Sequence, residues 1–177
     1  LKVLASYDKE IIEPASGMLA CRDVGKGKMP EPEVLFQHIL RVIAFEKDLA
    51  GKKVLVTAGP TQEAIDPVRY ITNHSTGKMG YAIAKAAMLR GADVTLVSGR
   101  TAIEPPMFVK LMPVVTAKDM YEAVTSVSDA QDIIIKAAAV ADYRPARVSD
   151  EKVKKSDGQM SIELERTDDI LKYLGEH

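Results

Sequence analysis

Cysteine is almost missing from this chain: Cys21 is the one thiol in 177 residues. A single thiol cannot close an internal disulfide and gives no ligand spacing for zinc, so a disulfide-stapled or zinc-stapled scaffold is excluded. Long apolar runs are absent as well. Nothing approaches the roughly 20 consecutive apolar residues of a membrane-spanning helix, and no signal-peptide pattern is visible. Charge of one sign is not in excess: 24 Lys plus Arg against 25 Asp plus Glu leave a net charge of -1. That balance removes the electrostatic case for nucleic acid or a membrane surface as partner. There is no internal repeat and no low-complexity tract. A cytoplasmic, reducing setting is the expected localisation.

What remains is ordinary for a globular protein, with 46% apolar and 28% charged residues. The length suits one domain with a sizeable core, or one domain plus an appendage. Composition shifts near residue 50. Residues 1–48 hold a Gly- and Pro-rich stretch, Pro14 to Pro32, and then a helical pattern with Leu35, Ile39, Val42 and Ile43 on one face. Asp48 to Lys53 reads as a linker. Residues 1–48 are too few for an independent core, so they are expected to belong to a larger upstream domain; the start at Leu1 reads as a fragment. The expected division is 1–48 and 49–177.

From residue 53 onward the periodicity alternates between strand and helix. Lys53 to Ala58 is a short β-branched, apolar run ending at Gly59. Met79, Ala82, Ile83, Ala86 and Ala87 recur at helical spacing, with Ser75 or Thr76 as N-cap and Gly91 as terminator. Asp93 to Ser98 is a second strand and Phe108 to Met112 a short one. Thr116 and Asp119 form a variant capping box for a helix with Met120, Ala123, Val124 and Val127 inward. Asp132 to Val140 is expected to be a third long strand. This alternation predicts an α/β fold, a Rossmann-like three-layer parallel sheet with right-handed crossovers.

Chemistry is concentrated in Gly59 to Gly80, GPTQEAIDPVRYITNHSTGKMG, between the first strand and its helix. Thr61, Asn73, Ser75, Thr76 and Lys78 lie near a helix N-terminus, where an anion is favoured by about 0.5–2 kcal/mol. Two phosphate motifs fail on spacing. Walker-type loops need Ser or Thr after Gly-Lys, and here Met79 follows. A dinucleotide fingerprint lacks its second and third glycines after Gly59. The loop of about 17 residues is read as having no secondary structure, a length usually reserved for function. A plainer reading pairs Arg69 with Asp66 and uses Asn73 to cap a turn.

A second constellation follows the last strand: small residues Ala137 to Ala141, then Asp142, then KVKK at Lys152 to Lys155. Ligands of open α/β sheets bind at the carboxyl ends of strands, so both loops can face one crevice. The plainer reading of KVKK is a solvated basic turn.

Together GPTQEAIDPVRYITNHSTGKMG, AAAVADYRP at Ala137 to Pro145 and EKVKK at Glu151 to Lys155 resemble the phosphopantothenate-cysteine ligases. PASGMLACRDVGKGKMPEP at Pro14 to Pro32 is similar to the C-terminal motif of phosphopantothenoylcysteine decarboxylases, which bacteria fuse ahead of the ligase. The resemblance implies amide formation between 4'-phosphopantothenate and L-cysteine through an acyl-cytidylate made from CTP, with Mg2+ assisting. It implies Asn73, Lys152 and Cys21 as catalytic and Arg69 and Asn73 as contacts to the phosphopantothenoyl group. Lys136, Ala137, Ala138, Asp142 and Lys152 fall on the nucleotide pocket, as does the stretch Asp168, Asp169, Ile170 and Leu171. That stretch lacks the family's proline. Metal ligands are not identified. By the same resemblance Cys21 is the acid of an FMN-dependent decarboxylation, with most of the FMN site outside this chain. Arg22 stands where the family has Gly, which puts the turn geometry in question. Ligase dimers and decarboxylase trimers are implied, and a chain cut on both sides is expected to be inactive alone. An NAD(P)-dependent oxidoreductase and a noncatalytic assembly module remain the alternatives.

Overall fold

The structure, a computed structural model, describes residues 2–7, 9–19, 21–155 and 158–177. The chain divides into two compact units, Leu1–Glu46 and Lys47–His177. The first holds α1 (Lys2–Ala5), β1 (Ala15–Met18), β2 (Val24–Lys28) and α2 (Pro32–Ile43). The second runs β3 (Lys53–Ala58), β4 (Gln62–Ala64), β5 (Tyr70–Thr72), α3 (Lys78–Leu89), β6 (Asp93–Ser98), β7 (Lys110–Pro113), α4 (Ala117–Thr125), a 3-10 turn (Ser128–Ala130), β8 (Ile133–Lys136), β9 (Tyr143–Pro145), β10 (Leu164–Arg166) and α5 (Ile170–Glu176). Among the described residues no helix is long and apolar enough to cross a membrane.

Four strands of the second unit form one parallel sheet in the order β7-β6-β3-β8. The chain steps outward from β3 through β6 to β7, then returns to the other side of β3. That reversal opens a crevice at the carboxyl ends of β3 and β8. Period-2 alternation along β3 sends Leu55 to a core with Val97, Met120, Val124 and Ile170, while Ala58 faces α3 at Gly80. Helices therefore cover both faces of the sheet. Val54 to Ala58 are all buried, as a central parallel strand requires.

Thr116 and Asp119 form a true capping box, the Thr hydroxyl accepting from the Asp119 amide at 3.0 Å and the carboxylate from the Thr116 amide at 2.8 Å. Met120 and Val124 are buried beneath it, with Ala123 and Val127 packed alongside. Gly91, at φ +93°, closes α3 through the Arg90 turn.

Five expectations are corrected. The cap of α3 is Gly77 at φ +76°, not Ser75 or Thr76, although Ser75 Oγ does accept from the Gly77 amide at 3.3 Å. Of the expected stripe only Ala87 is buried, joined by Gly80, Tyr81, Ala84, Met88 and Leu89, while Met79 is 70% exposed. The cause is close packing: a Cβ on Gly80 would lie 2.5 Å from that of Ala58 and 2.9 Å from the Thr57 carbonyl oxygen. The long loop after β3 is not structureless, since Gln62–Ala64 and Tyr70–Thr72 pair antiparallel as a hairpin. β7 begins at Lys110, because Phe108 sits at φ +65° and cannot be extended. β8 ends at Lys136, four residues before Val140, where the Ala137 amide is shared between Thr57 O and the Thr57 hydroxyl and the Ala138 amide goes to that hydroxyl.

In the first unit, Pro32 starts α2 and suits the first helical turn, where its missing N–H leaves no gap. The expected apolar face forms but nothing on α2 is buried; Ile43 is 71% exposed. β1 and β2 make an antiparallel hairpin whose turn carries Cys21, exposed, and Arg22. Ala20, within PASGMLAC, lies outside the described residues. The Leu19 amide donates to Asp23 O at 2.8 Å and the Arg22 amide to Leu19 O at 2.9 Å, which forces Arg22 to φ +66°. The turn demands a left-handed residue and receives an arginine, at a cost of about 1–2 kcal/mol. Arg22→Gly should therefore stabilise the hairpin by about 1 kcal/mol, read as roughly fivefold slower hydrogen exchange at the Leu19 amide. Unchanged exchange there would remove the strain argument.

Candidate functional site

The crevice is built on two buried threonines. Past Lys136 the pairing with β3 becomes irregular: the Ala137 amide still reaches Thr57 O at 3.2 Å and Pro60 pairs with Ala139 in an isolated parallel bridge, while side-chain acceptors take up the rest. Thr57 Oγ1 accepts from the amides of Ala137 at 3.1 Å and Ala138 at 3.2 Å. Gly59 O accepts from Ala139 N at 2.9 Å, and Thr61 Oγ1 from Ala141 N at 3.0 Å. Thr167 completes the path, its hydroxyl donating to Ala141 O at 2.6 Å and its amide to Asp142 O at 3.0 Å. Ala137 to Asp142 thus lie along the strand ends with small side chains, leaving room above them.

The β4–β5 hairpin stands beside this segment and is anchored on several sides. Gln62 N donates to Val115 O at 2.8 Å, and the buried Glu63 carboxylate accepts from Ala117 N, in the first turn of α4, at 2.8 Å. Thr72 Oγ1 donates to Thr61 O at 2.7 Å. Asn73 Nδ2 donates to Val140 O at 3.1 Å and Ala139 O at 3.4 Å, joining the hairpin's exit to the alanine-rich segment.

At the hairpin tip Asp66 is a buried carboxylate with five donors. Its Oδ1 accepts from Val68 N at 2.9 Å and Arg69 N at 2.8 Å; its Oδ2 accepts from Arg69 Nε at 3.0 Å, from Arg69 Nη2, and from Val153 N at 3.1 Å. Arg69 Nη2 also donates to Val153 O at 2.7 Å, and Ser149 N to Ile65 O at 3.0 Å. The Arg69 guanidinium holds the Asp66 carboxyl well below the usual carboxylate range against the opposing effect of burial, with help from the Val68, Val153 and Arg69 amides.

On the other side of the alanine segment lies a cleft of about 560 Å³, lined among others by Lys136, Val140, Asp142, Asp168 and Asp169. Partial desolvation lowers the Lys136 pKa, and the nearby Asp169 charge opposes that shift. Asp169 caps α5, accepting from Leu171 N at 2.9 Å and Lys172 N at 3.0 Å, and these backbone donors, Lys172 first, lower its own pKa. Tyr121 and Tyr173 meet edge to face at 5.6 Å and form an aromatic wall.

The predicted residues divide accordingly. Lys136, Asp142, Asp168, Asp169 and Ile170 share one cleft, although Ile170 is a buried core residue and Asp169 is engaged as a cap. Ala137 and Ala138 are half-buried and outside the lining, Ala138 packing against the core, and Leu171, 65% exposed, is not in the lining either. Asn73 touches the backbone of Val140, a cleft residue. Arg69 is spent on Asp66 and Val153, and Lys152 is exposed next to that contact. Cys21 belongs to the other unit. Thr57, Thr167, Glu63 and the tyrosines were not singled out by the sequence; the strand-end position of Thr57 was the one available signal. Among the described residues no group of three or more His, Cys, Asp or Glu could hold a metal ion.

These features define an α/β protein with a parallel four-stranded sheet and a polar crevice at its strand ends. A family model described as the DNA/pantothenate metabolism flavoprotein C-terminal domain matches residues 49–177, and the chain belongs to that family. It is 55% identical over 168 residues to the coenzyme A biosynthesis bifunctional protein CoaBC of Bacillus subtilis, covering 93% of this chain and 41% of that protein. The Haemophilus influenzae protein of the same name is 46% identical over 175 residues, 99% of this chain and 44% of its own length. The chain thus spans less than half of these relatives, and residues 1–48 fall within the second alignment while lying outside the family model. Among solved structures, the C-terminal domain of a CoaBC protein superposes with a TM-score of 0.64 at 55% identity, over 72% of this chain and 60% of that one. A DNA/pantothenate metabolism flavoprotein from Streptococcus pneumoniae gives 0.64 at 27% identity, over 71% and 65%. A Cab2 mutant solved with phosphopantothenate-cysteine gives 0.63 at 18% identity, over 83% and 67%, a likeness of fold alone.

Two measurements check the architecture. Thr61→Val leaves the buried Ala141 amide without its acceptor and should lower stability by about 1–3 kcal/mol in urea, whereas Thr61→Ser stays near wild type. Equal midpoints for both would refute the hydroxyl's role. Because folding depresses the Asp66 pKa, its contribution is complete above the unfolded aspartate value of about 3.9 and is lost as pH falls below it. Urea midpoints of Asp66→Asn should fall less steeply with acid over that window than those of wild type.

Proposed function

We propose that this chain supplies the nucleotide-activating and substrate-holding half of a phosphopantothenate-cysteine ligase of coenzyme A biosynthesis. The observation that supports it most is the Asn73 amide bonded to the Val140 and Ala139 carbonyls, which joins two motifs 66 or 67 residues apart at the carboxyl ends of β3 and β8. Names of the relatives point the same way.

A carboxylate is a poor electrophile. In the proposed reaction the 4'-phosphopantothenate carboxylate attacks the α-phosphate of CTP, pyrophosphate departs, and an acyl-cytidylate forms. The amine of L-cysteine then attacks the acyl carbon, loses its proton, and displaces CMP. Asn73 faces the acyl side of this exchange and Lys152 the triphosphate, where a fixed cation offsets the charge of the departing pyrophosphate. Base and sugar lie in the cleft of Lys136, Asp142 and Asp168, beside Ala137 and Ala138. Arg69 acts on substrate only indirectly in this arrangement, since its guanidinium is taken by Asp66 and Val153.

Mg2+ of a nucleotide keeps most of its ligands from phosphate and water and needs one or two protein carboxylates. Asp142 and Asp168 are taken by base and sugar in this arrangement, so the ion would enter with the triphosphate beside Lys152. Residues 1–48 are proposed as the closing segment of the decarboxylase portion. A bound FMN would supply the redox chemistry there; this chain's contribution is the exposed Cys21 thiol on the β1–β2 turn, as proton donor to the enethiolate. Ligase dimers and decarboxylase trimers are the proposed assembly.

The test is the full-length protein with phosphopantothenate, cysteine and each nucleoside triphosphate, following pyrophosphate and nucleoside monophosphate. CTP should support turnover, and Asn73→Asp or Lys152→Gln should lower kcat/KM by about 100-fold, the effect of losing a charged or oriented contact in the transition state. A nucleoside diphosphate product would sink the acyl-nucleotidyl route. Binding of NAD(P)H without CTP would favour an oxidoreductase instead.

A further inference from the structure

We propose that Asp66 and Arg69 are positioning residues: a clamp on Val153 that holds the lysine-bearing segment in the register and place where Lys152 meets nucleotide phosphates. The inference rests on the reading of Lys152 as a phosphate ligand, and adds what puts it there.

Lys152, Lys154 and Lys155 are all exposed, whereas Val153 is half-buried. The residue between Lys152 and Lys154 is held through both of its backbone groups, the amide by Asp66 Oδ2 and the carbonyl by Arg69 Nη2. Both holders come from the hairpin tip, which is itself fixed to the crevice through Thr72 and Asn73. The carboxylate divides its work by oxygen. Oδ1 closes the local turn through Val68 N and Arg69 N, and Oδ2 carries Arg69 and the distant Val153. A charged carboxylate suits this, because one oxygen must accept from a guanidinium and an amide at once. Three lysines in five residues repel one another and favour an open, solvated segment. The clamp counters that tendency at a single residue and reduces the ordering left for the nucleotide to accomplish. Where a binding-competent state is only partly populated, apparent affinity falls by that fraction.

This division allows a selective variant. Asp66→Asn can keep Oδ1 and the local turn while presenting an amide in place of Oδ2, so Val153 loses its acceptor. Val153→Pro is the independent second variant: it removes the donated N–H and leaves the Asp66–Arg69 pair intact. Each is made in the full-length protein and read in two ways. In limited trypsin digestion without nucleotide, cleavage should accelerate by about tenfold at Lys152, Lys154 and Lys155 in Asp66→Asn and at Lys154 and Lys155 in Val153→Pro, whose Lys152–proline bond trypsin does not cut, with cleavage at Lys85 of α3 and Lys118 of α4 unchanged. In steady state the KM for CTP should rise by about tenfold with kcat within about twofold. Global unfolding would instead raise cleavage at every site and is thereby told apart. Unchanged cleavage at Lys154 and Lys155 in both variants overturns the clamp. Faster cleavage with an unchanged KM for CTP overturns its positioning role. If wild type gives no CTP-dependent turnover, the functional reading fails and the phosphate role with it, while the digestion still reports whether the clamp exists.

Discussion

The crevice depends on where the backbone of Ala137 to Ala141 finds its hydrogen-bond partners. β3 is flanked on both sides by parallel strands, so its carboxyl end is surrounded by chain that must leave the sheet without orphaned amides. Two fully buried threonine hydroxyls, Thr57 and Thr61, take up that demand together with Gly59 O. Valine at either position would have similar shape and no acceptor. With those bonds made, the end of the alanine segment, Val140 and Ala141, is presented to the cleft beside it. The crevice is thus a consequence of satisfying backbone groups at a topological switch point, before any ligand-binding side chain is considered.

Glycine sets the second constraint. Gly59 and Gly77, both at positive φ, approach Thr101 so closely that a Cβ on either would lie within 2.9 Å of its methyl group. A Cβ on Gly99 would overlap the Pro60 carbonyl. Gly80 lets α3 rest on Ala58. The loops after β3 and β6 and the start of α3 converge on one point, and each step of that convergence requires a missing side chain. An α3 docked this closely cannot present the face that its larger residues alone would choose.

Much of the fold was legible because it is written locally. The apolar runs of β3 and β6 and the capping box of α4 need no distant information, and all three lie where the pattern put them. Failures occur where a distant contact decides. The continuous apolar run from Ile133 to Val140 carries no mark of where the ladder ends, since the stop is imposed by Thr57, 80 residues away. Strands of three residues, such as Gln62–Ala64 and Tyr70–Thr72, are too short to show a period. The site was legible in the same uneven way. The Asp66–Arg69 pair is visible at i,i+3 spacing, but its hold on Val153 across 84 residues is not.

That hold also explains why an ion pair serves where an apolar contact could have packed. Ion pairs that bury a charge gain little net stability over well-packed apolar residues, and their best-attested use is to fix register; here the Asp66 carboxylate is buried and the Arg69 side chain is 43% exposed. Here the pair grips an amide and a carbonyl of one residue, Val153. Val153 is the half-buried residue between exposed Lys152 and Lys154, so a slip of one residue would bring one of these lysines to the place Val153 now occupies. An apolar contact to the Val153 side chain would tolerate such a slip wherever aliphatic lysine stems could replace it. A pair that demands one N–H and one C=O at fixed positions, with charged neighbours that cannot be turned inward, does not. The ion pair at the hairpin tip therefore selects among registers of the lysine segment, and its value lies in that selection more than in stability.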